Sequence, residues 1–155
     1  PKKNLLPIIV GISVAEILYG NKIIAKLKWP NDILVEGKKL GGVLCQLQGE
    51  KVIAGLGINM TNSSSLEESI SLSALGFSID KLDFINKLNE KIRNTMEHSN
   101  EHIIKQFLIY DCLIGEHVSW KDGNGQVVKI AEDGRLVVRD SLDELFFLTE
   151  EVHLQ

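Results

Sequence analysis

The pentapeptide Lys28-Trp-Pro-Asn-Asp32 lies between apolar residues 23–25 and 33–35 and decides how this chain is interpreted. Pro30 fixes its own φ and biases Trp29 towards an extended conformation, so the polar side chains around it are held in a rigid bend. A plain turn between two strands more often uses Asn-Gly or Asp-Gly. Alone, the pentapeptide fits either a simple strand-loop-strand turn or a site that presents polar groups accurately. The segments that follow favour the site.

A glycine pair opens the next predicted strand, in the stretch Lys39-Leu-Gly-Gly-Val-Leu44. Adjacent glycines weaken a strand, and they are expected where a ligand or another backbone approaches closely. Because successive side chains alternate between the faces of a strand, Lys39 is expected in register with Gly41, and Lys38 on the opposite face.

A third segment, Val52 to Asn59, alternates small and large residues. The period of two places Gly55, Gly57 and Asn59 on one face of the strand. Leu56 and Ile58 share the other face and are expected to pack into a core. The glycine face therefore predicts a bare floor for a flat ligand.

In this order and spacing, the three segments resemble the catalytic domain of biotin protein ligase. The resemblance continues, with less specific motifs, over nearly the whole chain. It implies an α+β fold in residues 1–114, with a mixed, mainly antiparallel sheet and packed helices like those of class II aminoacyl-tRNA synthetases. It also implies a small SH3-like β-barrel in residues 115–155.

The resemblance implies a reaction and its catalytic residues. Biotin would be activated by ATP and Mg²⁺ to biotinyl-5'-AMP and passed to a lysine of a biotin carboxyl carrier domain of a carboxylase. Lys39 matches the family's lysine that faces the biotin carboxylate, where its charge would stabilise the charge that develops. Asp32 would hold Mg²⁺ or help to deprotonate the incoming lysine, and the sequence does not separate these roles.

Further positions match binding residues of the family. Bare backbone at three glycines would let the biotin rings lie close, and an amide would face the adenine edge. The expected biotin-binding residues are Lys39, Gly42, Leu44, Gly55 and Gly57, and the expected nucleotide-binding residues are Lys28, Trp29, Asn31 and Asn59.

The sequence departs from the family at several points. The glycine- and arginine-rich loop that folds over biotin and the phosphates lies upstream of the Lys28 segment in the family, and nothing like it occurs here. Gln46 also stands where a glutamate is usual. We therefore expect a fragment or a shortened relative that is inactive alone. A non-catalytic module that binds biotin or a carrier protein is the alternative.

Composition indicates an ordinary globular protein. The 155 residues are 44% hydrophobic and 25% charged, with a net charge of −4, which gives no reason to expect nucleic-acid binding by this segment. Neither a signal-peptide pattern nor an apolar run long enough to cross a bilayer is expected, so the predicted location is the cytoplasm. Cys45 and Cys112 are expected to be buried thiols. The resemblance leaves a homodimer possible.

Apolar spacing predicts the local structure of residues 1–114. Residues 5–18 are apolar all round, which suits a buried helix. Four antiparallel strands are expected around 23–29, 33–36, 39–48 and 51–59, and a loop or short helix over 60–69. Asp80 is the expected N-cap of a helix whose apolar residues include Leu82 and Ile85. A second helix is expected over 101–113.

The apolar period changes from 3.6 to 2 near Gly115, where we place the domain boundary. Short strands are expected at 117–120, 126–130, 135–138 and 145–148, separated by Asp-Gly turns.

Two other motifs are weaker. His98 and His102 fit an H-x-x-E-H zinc-protease pattern, but that chemistry needs one continuous helix, and a helix junction is expected here. Gly55-Leu-Gly57 lacks the third glycine and the following helix of a dinucleotide loop.

Overall fold

A computed structural model describes residues 2–61 and 68–155 of the chain. Its first element is a short 3-10 turn at Lys2–Leu5 that runs into helix α1, Leu6–Gly20. Ten residues of α1 are buried, as its all-round apolar sequence predicts. Pro7 lies in the first turn, where a proline removes no helical hydrogen bond.

By length and composition, Lys2–Gly20 is apolar enough to cross a membrane. The expectation that no apolar run reaches that length was therefore wrong. The most apolar 18-residue stretch of this segment is 61% buried inside the protein, as in the core helix of a folded domain.

The four predicted strands form one antiparallel sheet in sequence order. They are β1 Ala25–Lys28, β2 Asp32–Val35, β3 Lys38–Gln48 and β4 Lys51–Ile58. The connections are short, so neighbours in sequence are neighbours in the sheet. Helix α1 packs against this sheet. Part of the segment predicted as a loop or short helix, residues 62–67, lies outside the described residues.

Two capped helices cover α1 on its other side. Helix α2 is Lys81–Glu97, and the carboxylate of Asp80 accepts a hydrogen bond from the Asp83 amide at 2.8 Å, as predicted for an N-cap. Helix α3 is Asn100–Tyr110. Leu82 and Ile85 are 68% and 50% exposed, so these two members of the predicted apolar face of α2 do not join the core.

A second antiparallel sheet follows α3. Its strands are β5 His117–Trp120, β6 Gly123–Ile130, β7 Leu136–Arg139, β8 Leu145–Leu148 and β9 His153–Leu154, in the order β8-β7-β6-β5-β9. The four predicted strands are present, and β9 is added beside β5. The SH3-like class of this region and the boundary at Gly115 stay predictions.

Two hydrogen bonds and a shared apolar core join the first sheet to the C-terminal part of the chain. The indole of Trp29 donates to the carbonyl of Gly134 at 2.8 Å. The chain after α3 runs beside β1, where the Cys112 amide donates to the Leu27 carbonyl at 3.3 Å. The buried apolar residues on both sides of these contacts form one connected core.

Candidate active site

The pentapeptide forms the turn between β1 and β2. Lys28 and Asp32 are opposite each other at the end of the two strands, and Trp29, Pro30 and Asn31 connect them. The carbonyl of Asn31 accepts from the Val43 amide at 2.9 Å, so the turn is fastened to β3. The expectation of a rigid bend that carries polar side chains agrees with this arrangement.

Trp29 is placed differently from the other residues of the turn. Its side chain is 3% exposed, and the indole N–H is used by the Gly134 carbonyl. Trp29 therefore packs beside the turn between β6 and β7, and the nucleotide contact expected of it stays a prediction. Sequence reasoning had no signal for this contact, which joins positions far apart in the chain.

The central pair of the site is Lys39 and Asp32. The Lys39 Nζ atom lies 2.5 Å from an Asp32 carboxylate oxygen. The Asp32 side chain is 11% exposed, whereas that of Lys39 is 51% exposed and can still reach a ligand. The two predicted catalytic residues are thus brought into direct contact.

A β-bulge at Leu40 produces this contact. The pairing of β2 with β3 shifts from Ile33–Gly41 to Leu34–Lys39, so Leu40 has no partner on β2. Leu40 turns into the core, where it is fully buried, and Lys39 joins the face of Gly42. The predicted register of Lys39 with Gly41 was wrong, because strict alternation does not allow for the extra residue.

The predicted floor is present on the outer face of β3 and β4. Gly42 pairs with Gly57, and Leu44 pairs with Gly55. A methyl group at Gly55 or Gly57 would meet no atom closer than 3.7 Å, so both positions face open space. A methyl group added at Gly42 would lie 3.6 Å from Cε of Lys39. The floor is therefore beside the ion pair.

The opposite face of the same strands is apolar. Val43 is buried, and Leu56 and Ile58 are partly buried against the core, as the alternation predicted. Gly41 is required here because another backbone approaches closely, which is one of the two reasons expected for the glycine pair. A Cβ atom at Gly41 would lie 2.2 Å from the Gly57 carbonyl oxygen, so only glycine lets β3 and β4 approach.

Asn59 is held by the main chain. Its side-chain Nδ2 donates to the carbonyls of Lys39 at 3.3 Å and Ile70 at 3.1 Å. The donor expected to face adenine is therefore already used within the chain.

A cleft of about 690 Å³ lies beside the ion pair. It brings together Lys28, Asp32 and Lys39 of the predicted site. Lys38 also lines it, although alternation predicted that Lys38 would point away, and so does Leu154 from β9. The full lining is Lys28, Asp32, Leu34, Glu36, Gly37, Lys38, Lys39, Glu68, Ser69 and Leu154.

The metal ligands available in the cleft are few. Among residues 2–61 and 68–155, no three His, Cys, Asp or Glu side chains are grouped to hold a metal ion. Asp32 is a single carboxylate, which fits an ion such as Mg²⁺ that keeps several waters and arrives with substrate phosphates.

The histidine motif lies at a helix junction, as expected. Helix α2 ends at Glu97 and α3 begins at Asn100, and the rings of His98 and His102 are 4.4 Å apart between centroids. The continuous helix of a zinc protease is therefore absent at these residues.

The amino-acid sequence matches a ligase family. Residues 5–62 fit the family model of the Biotin/lipoate A/B protein ligase family. The chain is 31% identical to the bifunctional ligase/repressor BirA of Bacillus spizizenii over 141 residues, which are 81% of this chain and 43% of that protein. It is 28% identical to the biotin–[acetyl-CoA-carboxylase] ligase of Mycobacterium tuberculosis over 129 residues, or 78% and 48% of the two chains. The chain thus spans less than half the length of these relatives.

Solved structures give the same result. The apo structure of the biotin protein ligase from Aquifex aeolicus matches with a TM-score of 0.83 at 27% identity. The matched region covers 100% of this chain and 78% of the Aquifex chain. The same protein in complex with biotin and ATP has a TM-score of 0.78 at 26% identity, over 97% and 70% of the two chains. The chain therefore matches the biotin/lipoate A/B protein ligase family over residues 5–62 and has the α+β fold that the sequence predicted. Within that family, its resemblance to biotin protein ligase is confirmed.

Proposed function

We propose that this chain supplies the lysine-carboxylate centre and the ligand floor of a biotin protein ligase. The reaction is the ATP-dependent conversion of biotin to biotinyl-5'-AMP, followed by transfer to a lysine of a biotin carboxyl carrier domain. The observation that carries the proposal is the Lys39–Asp32 pair, 2.5 Å apart, beside the glycine floor of β3 and β4. The Aquifex protein that shares this fold is known with both biotin and ATP bound.

The chemistry of the first step requires a fixed cation. A carboxylate must approach a phosphate, and both are negatively charged, so repulsion has to be screened. Lys39 is half-exposed and lies next to Gly42, so its ammonium group would reach a carboxylate placed over the floor. Lys28 lines the same cleft and supplies a second cation for the nucleotide side.

Asp32 has two roles in this proposal. In the free chain it holds the Lys39 ammonium group in place through the ion pair. With nucleotide bound, its carboxylate would hold the Mg²⁺ that accompanies ATP, and Mg²⁺ would screen the phosphate charge. Gly42, Gly55, Gly57 and Leu44 would contact the biotin rings, and Asn31, at the turn, would contact the nucleotide.

Three measurements on the purified protein test this function. Calorimetry measures biotin binding, pyrophosphate release measures adenylation, and mass spectrometry measures biotin transfer to a carrier domain. Biotin binding with pyrophosphate release is the expected result when the glycine- and arginine-rich loop is supplied by a longer chain. Biotin binding without pyrophosphate release in such a longer chain would instead indicate the non-catalytic module. Absence of biotin binding there would refute both.

A further inference from the structure

Residue 59 is bonded to both carbonyl groups that flank the β-bulge of β3. The Asn59 backbone N–H donates to the Leu40 carbonyl at 2.9 Å, and its side-chain Nδ2 donates to the Lys39 carbonyl at 3.3 Å. Leu40 is the residue left without a partner on β2. One asparagine thus closes the bulge from the β4 side.

The same carboxamide ties the bulge to a third segment. Its second bond goes to the Ile70 carbonyl at 3.1 Å, and the Ile70 amide donates to the Lys39 carbonyl at 3.0 Å. The Lys39 carbonyl therefore accepts from two donors. Its main chain is fixed, although its side chain is half-exposed.

The bulge decides the face on which Lys39 lies. Without it, regular alternation would place Lys39 with Gly41 and Val43, on the buried face. A lysine ammonium there would lose its water and its Asp32 partner, which is strongly unfavourable. With the bulge present, the Lys39 side chain lies over Gly42, beside the open floor.

We propose that Asn59 is a positioning residue that holds the Leu40 bulge and thereby keeps the Lys39 ammonium group at the biotin floor. This inference rests on the proposed function for its consequence in biotin binding. Its structural part, the dependence of the Lys39 position on the Asn59 carboxamide, is independent of any ligand.

Nuclear magnetic resonance of the free chain tests the structural part. In the unsubstituted protein we expect a cross-peak between the Lys39 ε-methylene and Gly42 α protons. Asn59→Ala and Asn59→Leu both remove the donors, and Leu keeps most of the volume, so both should lose the cross-peak. Asn21→Ala is the matched control, because Asn21 also donates to a carbonyl, that of Ile17 at 2.9 Å. A cross-peak of unchanged intensity in either Asn59 variant would overturn the proposal.

Biotin affinity tests the functional part, in a protein that binds biotin. Lys39→Ala and Asn59→Ala should each weaken biotin binding by about tenfold or more, and the double variant no further than Lys39→Ala alone. An Asn59 that only contacts adenine would weaken ATP binding instead, with biotin affinity unchanged, and that result would refute the positioning role. If the longer chain that supplies the glycine- and arginine-rich loop binds no biotin, the proposed function fails, while the Lys39–Gly42 cross-peak of the free chain still decides the inference.

Discussion

At the scale of single residues, Lys39 depends on the carboxylate beside it. The Asp32 side chain is largely buried and takes its counter-ion from a half-exposed lysine. A buried carboxylate left without a partner is costly, so each charge fixes the position of the other. The pair is ready to receive an anion because the lysine retains access to solvent.

The first prediction is that Lys39→Ala weakens biotin binding by about tenfold or more, since a charge-assisted bond to the biotin carboxylate is lost. Lys51→Ala is the control, because Lys51 pairs with Gln48 at the far end of the β3–β4 hairpin. Lys38 is unsuitable as a control because it lines the cleft. Calorimetric titration with biotin is the measurement, and equal affinities of the two variants would contradict the assignment.

The second prediction concerns the thiol of Cys112. Burial raises its pKa from 9.0 to about 11, with the negative charge of Asp111 as a smaller cause. The folded protein therefore keeps this proton when the unfolded chain has lost it, and stability should fall as pH rises from 9.0 towards 11.

Urea unfolding at several pH values in this window measures the effect. The Cys112→Ala variant should lose less stability with rising pH than the unsubstituted protein does, because it has no thiol to ionise. Comparing the two proteins removes the contribution of the other ionisable groups, because both proteins contain them. Identical pH slopes for the two proteins would show that the thiol does not control this loss.

At the scale of elements, the β3–β4 hairpin separates two functions between its faces. Gly41 allows the two backbones to approach on the inner face, whereas Gly57 leaves space on the outer face. The two residues are neighbours across the hairpin, yet an added methyl group would meet very different surroundings.

The third prediction follows from this difference. Gly41→Ala should destabilise the protein by at least about 1–3 kcal/mol, because the Cβ of the new alanine would overlap the Gly57 carbonyl. Gly57→Ala should leave stability nearly unchanged and reduce biotin affinity, since its methyl group projects into the ligand floor. Thermal unfolding and biotin titration of both variants make the comparison.

Leu56→Ala is the control for the inner face of β4. Leu56 is only partly buried, so its loss should cost about 1–2 kcal/mol, below the range for a fully buried leucine. Biotin affinity should be unchanged. Loss of affinity in Leu56→Ala, or normal affinity in Gly57→Ala, would mean that the two faces are assigned the wrong way round.

At the scale of the whole molecule, one core connects the helices and both sheets. Trp29 lies at the connection, since it belongs to the turn that carries Asn31 and Asp32 and donates to the Gly134 carbonyl in the turn between β6 and β7. The position of the turn therefore depends on the second sheet as well as on its own strands.

The fourth prediction is that the chain unfolds in a single cooperative transition.

The Trp29→Phe variant tests this prediction. It should lower the free energy of unfolding by about 1 kcal/mol, because the indole hydrogen bond is lost and most of the packing is kept. The chain has two tryptophans, so this variant leaves Trp120 as the only one. Trp120 fluorescence then reports on β5, and circular dichroism at 222 nm reports chiefly on the helices. Two separate midpoints would show that the second sheet unfolds independently.

The sequence alone predicted most of the elements and the faces of β4. The four strands of the first sheet, the buried α1 and the Asp80 cap follow from local patterns, since apolar period and capping chemistry act within a few residues. The alternation in β4 also gave the outward face of Gly55 and Gly57 and the inward face of Leu56 and Ile58. The motif resemblance selected Lys39 and Asp32, which the fold brings together.

Only the tertiary structure decided the features that join distant segments. The Leu40 bulge sets the face of Lys39, the Gly134 carbonyl holds Trp29 in the core, and Leu154 reaches the cleft from the last strand. Each depends on a partner many positions away, and a periodic pattern carries no information about such partners. Local sequence therefore determined which face of β4 is apolar, and tertiary packing determined which polar groups meet beside it.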